Sequence, residues 1–267
     1  MKLYDMFPPG RICFVLFAGV LWIQSAWAEP IPAQEKQGAV SAFVVLKSAD
    51  GKVIAVADQI QTVLGNQVHS RLTFHFLDGS IDDETSVFTQ GRTYQLVSDH
   101  HIQKGPSFPK PLDVSIHVAT GMVTSREMKD GKEKVETKHL DLPNDLVNGM
   151  TSLVVENFPK NCTELKVSYL AGGSKPRLVK LLTRPDGEDR FRVGGASRLS
   201  KKYRVHVEIG GVSGVIAPLV GKQPPDIAMW VTAGDVPTFL KMKGPFYEEG
   251  PIWTTEQAAP AWPGAEK

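Results

Sequence analysis

Cysteine is nearly absent from this chain, which has two in 267 residues, Cys13 and Cys162. Cys13 lies inside an apolar run and not behind a small-residue lipidation pattern, so we expect no lipid anchor there. If the segment around Cys13 is removed on export, Cys162 is left alone and no internal disulfide forms. The remaining chain of about 240 residues is long enough to bury a sizeable core without covalent links.

An excess of charge of one sign is also absent. The chain carries 30 Lys and Arg against 29 Asp and Glu. Without residues 1–28 the balance is 30 − 2 = 28 basic against 29 − 1 = 28 acidic residues. Such a surface lacks the basic excess that neutralises phosphates and the polybasic run that binds anionic membranes. We therefore predict no nucleic-acid partner.

No complete catalytic or cofactor motif occurs. The glycine-rich stretch at 208–226 fails as a phosphate loop, because six residues separate Gly214 from Gly221 where the motif needs four. Flexible backbone at a strand end, followed by a rigid Pro224-Pro225 turn, explains its composition better. We predict neither a cofactor nor a metal site.

The apolar run near the N-terminus is short. Lys2 and Arg11 precede apolar residues 12–23, and the sequence AWA follows at 26–28. A run of about a dozen residues is less than the roughly 18 to 20 that span a bilayer. Small residues flanking the cleavage site are typical of secretory signals. We predict a signal peptide at 1–28, export to the periplasm or outside the cell, and no later transmembrane segment; the alternative is an uncleaved anchor helix.

What is present is alternation of apolar and polar residues with period two. Tyr203, Val205 and Val207, for example, alternate with Arg204 and His206. This pattern places apolar side chains on one face of a β-strand and polar ones on the other. It recurs over residues 39–255.

Between such runs lie four Asp-Gly pairs, which suit tight turns between antiparallel strands. They begin at Asp50, Asp78, Asp130 and Asp186. We predict a mainly β, α+β protein: one curved antiparallel meander or half-barrel of about a dozen strands over 39–255, after a lead-in at 29–38 and before a flexible tail at 256–267.

One segment departs from this pattern. Between Pro143 and Pro159, apolar residues recur at helical spacing. The sequence predicts one principal helix near 144–158, with Asn144 as its N-cap. Its apolar face would pack on the concave side of the sheet.

Histidines offer two candidate polar pairs. If Asp78-Gly79 forms a two-residue turn, His75 faces Asp82 across the hairpin and could be an oriented imidazole-carboxylate pair. If the hairpin at 104–111 is symmetric about its loop, His100 faces His117. A charged outer ladder explains the first pair without chemistry, and two histidines make a weak zinc signal.

Apolar residues offer a third candidate. Met, Trp and Phe are dense in the last third of the chain, where prolines interrupt the strands. Met150, Leu153 and Val154 on the predicted helix, together with Trp230 and Phe239, are the candidate lining of an apolar cleft. Ordinary core packing is the alternative.

This order of elements over 39–255 resembles the half-barrel fold of bacterial periplasmic lipoprotein carriers, and is similar in layout to other exported β-sheet domains of bacterial envelopes. The resemblance implies that an acyl chain or other apolar ligand binds between sheet and helix, and it assigns no residue a role.

Three functional hypotheses follow. The first is an exported carrier or binding module for an apolar, lipid-like ligand. The second is a structural or protein-interaction component of the envelope without a ligand. The third is a histidine-dependent enzyme that uses one of the two polar pairs.

Overall fold

The computed structural model describes residues 30–129, 131–173, 175–193, 195–209 and 223–258. The predicted signal peptide, most of the glycine-rich stretch and residues 259–267 of the predicted tail lie outside the described residues. None of the helices found in these ranges has the length and apolar character needed to cross a membrane.

Fourteen strands in the described ranges form one antiparallel sheet, which confirms the predicted meander. They are β1 (Val40–Lys47), β2 (Val53–Leu64), β3 (Gln67–Phe76), β4 (Ile81–Gln90), β5 (Tyr94–Lys104), β6 (Leu112–His117), β7 (Met122–Lys129), β8 (Lys132–His139), β9 (Leu165–Ala171), β10 (Arg177–Val193), β11 (Ala196–Glu208), β12 (Ile227–Thr232), β13 (Phe239–Pro245) and β14 (Ile252–Gln257). A short 3-10 turn at Val118–Thr120 follows β6.

The sheet is open, and its two edges are consecutive strands of the chain. The strand order is β8-β7-β6-β5-β4-β3-β2-β1-β14-β13-β12-β11-β10-β9. Strands β1 and β14 pair at its middle, with Val44 opposite Gln257. The edges are β8 and β9, and residues 140–164 run between them. We call residues 140–164 the strap, the face on which it packs the inner face, and the opposite side the outer face.

Three of the four Asp-Gly glycines lie between consecutive strands with positive φ, at Gly51, Gly79 and Gly131. The fourth prediction is wrong. Gly187, with φ of 97°, lies inside β10 at a bulge, where pairing with β11 skips from Pro185 to Glu188. A bulge and a turn need the same left-handed glycine, so the dipeptide alone does not separate them.

The predicted helix is much shorter than expected: α1 covers Thr151–Glu156, and its N-cap is Met150 instead of Asn144. Gly149 has φ of +66°, which interrupts a right-handed helix. Upstream, Ser168 of β9 donates to the carbonyl of Asp145 and accepts from the amide of Val147. The first part of the strap is therefore extended along the edge of β9.

The strap supplies much of the main core. Its buried residues Leu146, Val147, Met150, Leu153, Val154 and Val155 pack with inner-face side chains from both halves of the sheet, including Phe88, Ile116, Val167, Tyr203 and Met229. A second cluster on the inner face contains Phe74, Phe76 and Phe108, with Phe246 and Trp253 in edge and tilted contact. Burial of these side chains stabilises the sheet on its inner side.

The predicted lead-in packs against the domain. Ile31 is buried in the main core, and Pro32 bridges to Thr93. The backbone amides of Gln34 and Glu35 donate to Oδ1 of Asn157 at the end of α1, each at 3.1 Å. Because of these bonds, residues 30–37 hold the helical end of the strap.

Candidate functional site

The inner face of β4 and β5 carries a cluster of ionisable side chains beneath the strap. Asp82 and Glu84 come from β4, and Asp99 and His101 come from β5. The register places Glu84 opposite His101, and Ser86 opposite Asp99. Alternation brings these residues to the same side as the core residue Phe88. We call Asp82, Glu84, Asp99 and His101 the inner polar cluster.

His101 is the centre of this cluster. Its Nε2 is 3.0 Å from Oδ2 of Asp82, and its Nδ1 is 4.0 Å from Oε1 of Glu84. Nε2 of Gln103 donates to the same Asp82 oxygen at 2.6 Å. Burial alone would lower the pKa of His101, but the charges of Asp82, Glu84 and Asp99 and the hydrogen bond to Asp82 outweigh it and raise the pKa to about 10. The imidazole is therefore cationic at neutral pH and makes a poor general base.

The surroundings of Glu84 and Asp99 disfavour the charged form of both carboxyls. Burial is the main cause that raises the pKa of Glu84, and the charge of Asp82 adds to it. Burial and the neighbouring charge of Glu84 raise the pKa of Asp99 well above its ordinary value. Asp99 is 3% exposed, and its Oδ1 has no hydrogen-bond partner among the residues that the structure describes. An unpaired buried carboxylate is costly, so this environment favours the protonated form.

The strap touches the cluster at Gly149. Oγ of Ser86 donates to the carbonyl of Gly149 at 3.3 Å. The backbone of Gly149 also hydrogen-bonds Glu84, which opposes part of the burial effect. A Cβ added at position 149 would lie 2.5 Å from Cβ of Ser86 and 2.8 Å from Oδ1 of Asp99. Only glycine brings the backbone this close to the carboxyls.

A tyrosine from the opposite end of the sheet completes the surroundings. Burial, together with the charges of Glu84, Asp99 and Asp82, raises the pKa of Tyr169 in β9. Tyr169 packs against the main core, so the cluster lies close to both halves of the sheet.

The strap is held to β9 and β10 by further polar contacts. Oγ of Ser168 donates to Oδ1 of Asp145 at 2.8 Å, and Nζ of Lys180 is 3.2 Å from Oδ2 of Asp145. The amide of Asn148 replaces a missing neighbour strand: its Nδ2 donates to the carbonyl of Leu170 at 3.0 Å, and its Oδ1 accepts from the Leu170 amide at 2.9 Å. These contacts satisfy part of the β9 edge.

The predicted pairing of His75 with Asp82 is wrong. Phe76 and Ser80 flank a three-residue loop, so His75 pairs with Ile81 and Asp82 pairs with Phe74. A shift of one residue moves a side chain to the other face. His75 lies on the outer face, 3.9 Å from Asp58, while Asp82 lies on the inner face.

The predicted pairing of His100 with His117 is also wrong. His100 pairs with Ser115, and His117 pairs with Ser98. On the outer face, Nε2 of His100 is 3.0 Å from Oδ1 of Asp113. Sequence reasoning identified Asp82 but not its partner His101. The common phase of Asp82, Glu84 and Ser86 with the apolar Phe88 was the signal for inward-facing carboxylates.

The apolar candidates divide between the two faces. Met150, Leu153 and Val154 are buried in the main core, and Phe239 packs against it. Trp230 is not part of this group. Its neighbours Met229 and Val231 belong to the inner core, whereas Trp230 packs with Phe191 and Leu240 on the outer face. There its Nε1 donates to Asp189 at 2.7 Å, and Nζ of Lys241 lies 4.2 Å from its ring centre.

A small pocket lies beside the beginning of the strap. Its volume is about 170 Å³. It is lined by Gln95, Leu96, Val97, Val118, Ala119, Pro143, Asn144 and Leu146. This is close to the volume of a cavity that holds benzene, about 150 Å³. The pocket can take one small apolar group, and Met150, Leu153 and Val154 do not line it.

Within the described residues, no group of three or more His, Cys, Asp or Glu side chains is arranged to hold a metal ion. Comparisons with family models, with curated proteins and with solved structures found no match for this chain.

Proposed function

We propose that this protein is an exported carrier or binding module for an apolar, lipid-like ligand, which it holds between the inner face of the sheet and the strap. The observation that carries the proposal is the strap itself. It crosses an open sheet, and its side chains Met150, Leu153 and Val154 fill the space over the inner face. A ligand would take the place of these side chains when the strap lifts, with Phe239 contributing to the lining.

The attachment of the strap supports this proposal. Its ends continue into β8 and β9, and between them it is held by hydrogen bonds and packing, through Asp145, Asn148, Gly149 and Asn157. Cys162 is a free thiol in the strap. Opening of the strap would break no covalent bond, and a ligand would cover the apolar side chains that the opening exposes.

The pocket beside the strap offers a starting point for entry. Leu96, Val97 and Val118 give it apolar walls, and Leu146 of the strap closes one side. A single small group of a ligand fits before the strap moves, and longer ligands require displacement of the strap. The proposed export and the periplasmic or extracellular location rest on the N-terminal sequence.

Native mass spectrometry of protein purified from its own compartment tests the proposal. We expect a species heavier than the polypeptide that releases an apolar molecule on collisional activation. Bare polypeptide, combined with no binding of a fluorescent long-chain acyl probe, would contradict the carrier function.

A pair of variants sharpens the test. Met150→Ala removes volume beneath the strap, and we expect the acyl probe to bind it at least as tightly as the wild type. Phe191→Ala creates a similar defect in the outer-face cluster and is expected to bind the probe like the wild type. Equal behaviour of the two variants would place the ligand elsewhere.

An apolar row on the outer face favours a second candidate function, a protein-interaction component of the envelope. Phe43, Val56 and Ile60 are 69%, 51% and 56% exposed. Phe43 pairs with Asp58, so Val56 and Ile60 flank it on the same face. A photo-crosslinking residue at position 43 should give a discrete adduct in the native compartment, whereas position 50 in the exposed β1–β2 turn should give none.

A further inference from the structure

We propose that the contact between Gly149 and the inner polar cluster is a proton-operated latch: the strap stays closed while the cluster holds its protons, and it opens as they leave. The proposal goes beyond ligand binding. It concerns the position of the strap in the protein alone, so it can be tested without a ligand and can fail while the carrier function stands.

The geometry makes the strap backbone part of the environment of the carboxyls. Gly149 lies directly over Ser86 and Asp99, at a distance that excludes even a methyl group. Its carbonyl accepts from Ser86, and its backbone hydrogen-bonds Glu84. While the strap is closed, water has little access to Asp99, which is 3% exposed. Lifting the strap would expose these carboxyls to water.

A buried carboxyl oxygen of Asp99 makes the closed strap sensitive to ionisation. Oδ1 of Asp99 is buried and has no hydrogen-bond partner in the described residues. Ionised Asp99 would place a second negative charge beside Glu84, with His101 as the nearby cation. His101 already contacts Asp82, which is the better placed of the carboxyls to balance its charge. One cation therefore faces three carboxyls, and full ionisation of the cluster opposes closure.

Ionisable groups from three strands face the latch. Strand β4 contributes Asp82 and Glu84, and β5 contributes Asp99 and His101. From the second half of the sheet, Tyr169 faces the cluster. On the strap itself, Asp145 is paired with Lys180 and Ser168. On the flanking strands, the residues opposite the cluster are Phe74 and Leu72 in β3, and Val114 and Ile116 in β6, none of which titrates.

Of the groups that face the latch, Glu84, Asp99, His101 and Tyr169 all have raised pKa values, and all four act in the same direction. Glu84 and Asp99 have raised pKa values when the strap is closed, so the closed form is favoured at low pH and weakens as pH rises above the ordinary carboxyl range. The pKa of His101 is raised to about 10, so its contribution is complete below its ordinary value and is lost as pH rises through 10. Rising pH therefore opens the strap.

Hydrogen-deuterium exchange measured between pH 5 and pH 9, and corrected for the intrinsic pH dependence of exchange, tests the latch. The amides of Val147, Met150, Leu153 and Asn157 report on the strap, because each donates to a backbone carbonyl. Amides of β2 report on global unfolding. We expect strap protection to fall by up to about tenfold per pH unit for each proton released, while β2 protection changes much less.

Asp99→Asn and Glu84→Gln replace the titrating carboxyls with neutral groups of similar shape. We expect the double variant to flatten the pH dependence of strap protection. Asp113→Asn, on the outer face of the neighbouring strand β6, should keep the wild-type dependence. Strap protection that follows β2 at every pH in the wild type, or an unchanged pH slope in the double variant, would overturn the latch.

If the double variant does not fold, the latch can be tested with the wild-type protein alone. Carboxyl ¹³C chemical shifts give the titration midpoints of Glu84 and Asp99. We expect the opening midpoint from exchange to coincide with one of them. An opening midpoint that matches neither overturns the proposal.

Discussion

Nε2 of His101 lies 3.0 Å from Oδ2 of Asp82 on the inner face of the sheet. The next residue back along the chain makes a contact of equal length on the other face, between Nε2 of His100 and Oδ1 of Asp113. The side chains of the inner pair are 18% and 7% exposed, and those of the outer pair 42% and 30%. The same histidine-carboxylate contact thus occurs in two environments that differ mainly in their exposure to water.

This pair of contacts gives a matched experiment. Asp82→Asn removes the main partner of a buried cation, and we expect a loss of about 3 kcal/mol in the free energy of unfolding, together with a lower pKa of His101. Asp113→Asn should cost less than about 1 kcal/mol, because water screens the outer pair. Urea unfolding and a histidine NMR titration measure the two quantities. Equal losses in the two variants would contradict the distinction between the faces.

Gly149 is expected to be intolerant of any side chain. Gly149→Ala combines a positive φ with a Cβ 2.5 Å from Ser86, and we expect a loss of about 3 kcal/mol or more in the free energy of unfolding. Gly65→Ala is the control. It has nearly the same φ, +64°, but nothing within 4 Å of the added atom, so it should cost only about 1 kcal/mol. Similar costs would mean that the close approach to Ser86 is unimportant.

Asn148 should be more important than its neighbour Asn144. Asn148→Ala leaves the backbone amide and carbonyl of Leu170 without their partners, at an expected cost of about 2 to 4 kcal/mol. The Leu170 amide should also exchange faster with solvent. Asn144 is exposed on the same strap, so Asn144→Ala should change the free energy of unfolding by less than about 0.5 kcal/mol. An unchanged free energy of unfolding in Asn148→Ala would show that water replaces the side-chain amide.

Glu156 gives a pH dependence at the far end of the strap. Burial raises its pKa to about 7, against the opposing hydrogen bonds from the Phe239 amide and Gln37. The folded state is therefore favoured while Glu156 is protonated, and this stability is lost as pH rises from the ordinary carboxyl pKa through 7. Glu156→Gln keeps the acceptor for Phe239. We expect the difference in free energy of unfolding between this variant and the wild type to be about 1 to 3 kcal/mol more favourable to the variant at pH 8 than at pH 5.

Urea unfolding of the wild type and of Glu156→Gln at both pH values measures this difference. Glu133→Gln on the exposed strand β8 is the control, and it should change the free energy of unfolding by the same amount at both pH values. A parallel shift in the Glu156 variant would mean that the carboxyl is already ionised at pH 5.

Alternation and turn residues were sufficient to predict the architecture, because a half-buried antiparallel sheet imposes period two on nearly every strand. Register was harder. In the β3–β4 hairpin, one residue more in the loop than predicted moved His75 and Asp82 to opposite faces. A bulge also changes the register of β4 and β5: Val87 pairs with Ser98, but the next residue, Phe88, pairs with Leu96. Local sequence leaves such steps open, because several loop lengths tolerate the same glycine.

The length of the helix was overestimated for a different reason. Residues 144–150 have apolar spacing that suits a helix, but the edge of β9 offers Asp145 and Val147 hydrogen bonds in an extended conformation. The gain comes from a partner that lies outside the segment, so periodicity within the segment gives no sign of it. The polar cluster was missed likewise, since its members come together only when register and strap position are known.

The pairing of β1 with β14 has a consequence for how the chain assembles. Each half of the sheet, β1 to β8 and β9 to β14, is a meander of neighbours that can form from local contacts. The seam between them joins Val44 to Gln257, the first strand of the sheet to the last. Contacts so distant in sequence form slowly. The two halves, and the strap that packs against both, therefore reach their final arrangement only after β14 is in place.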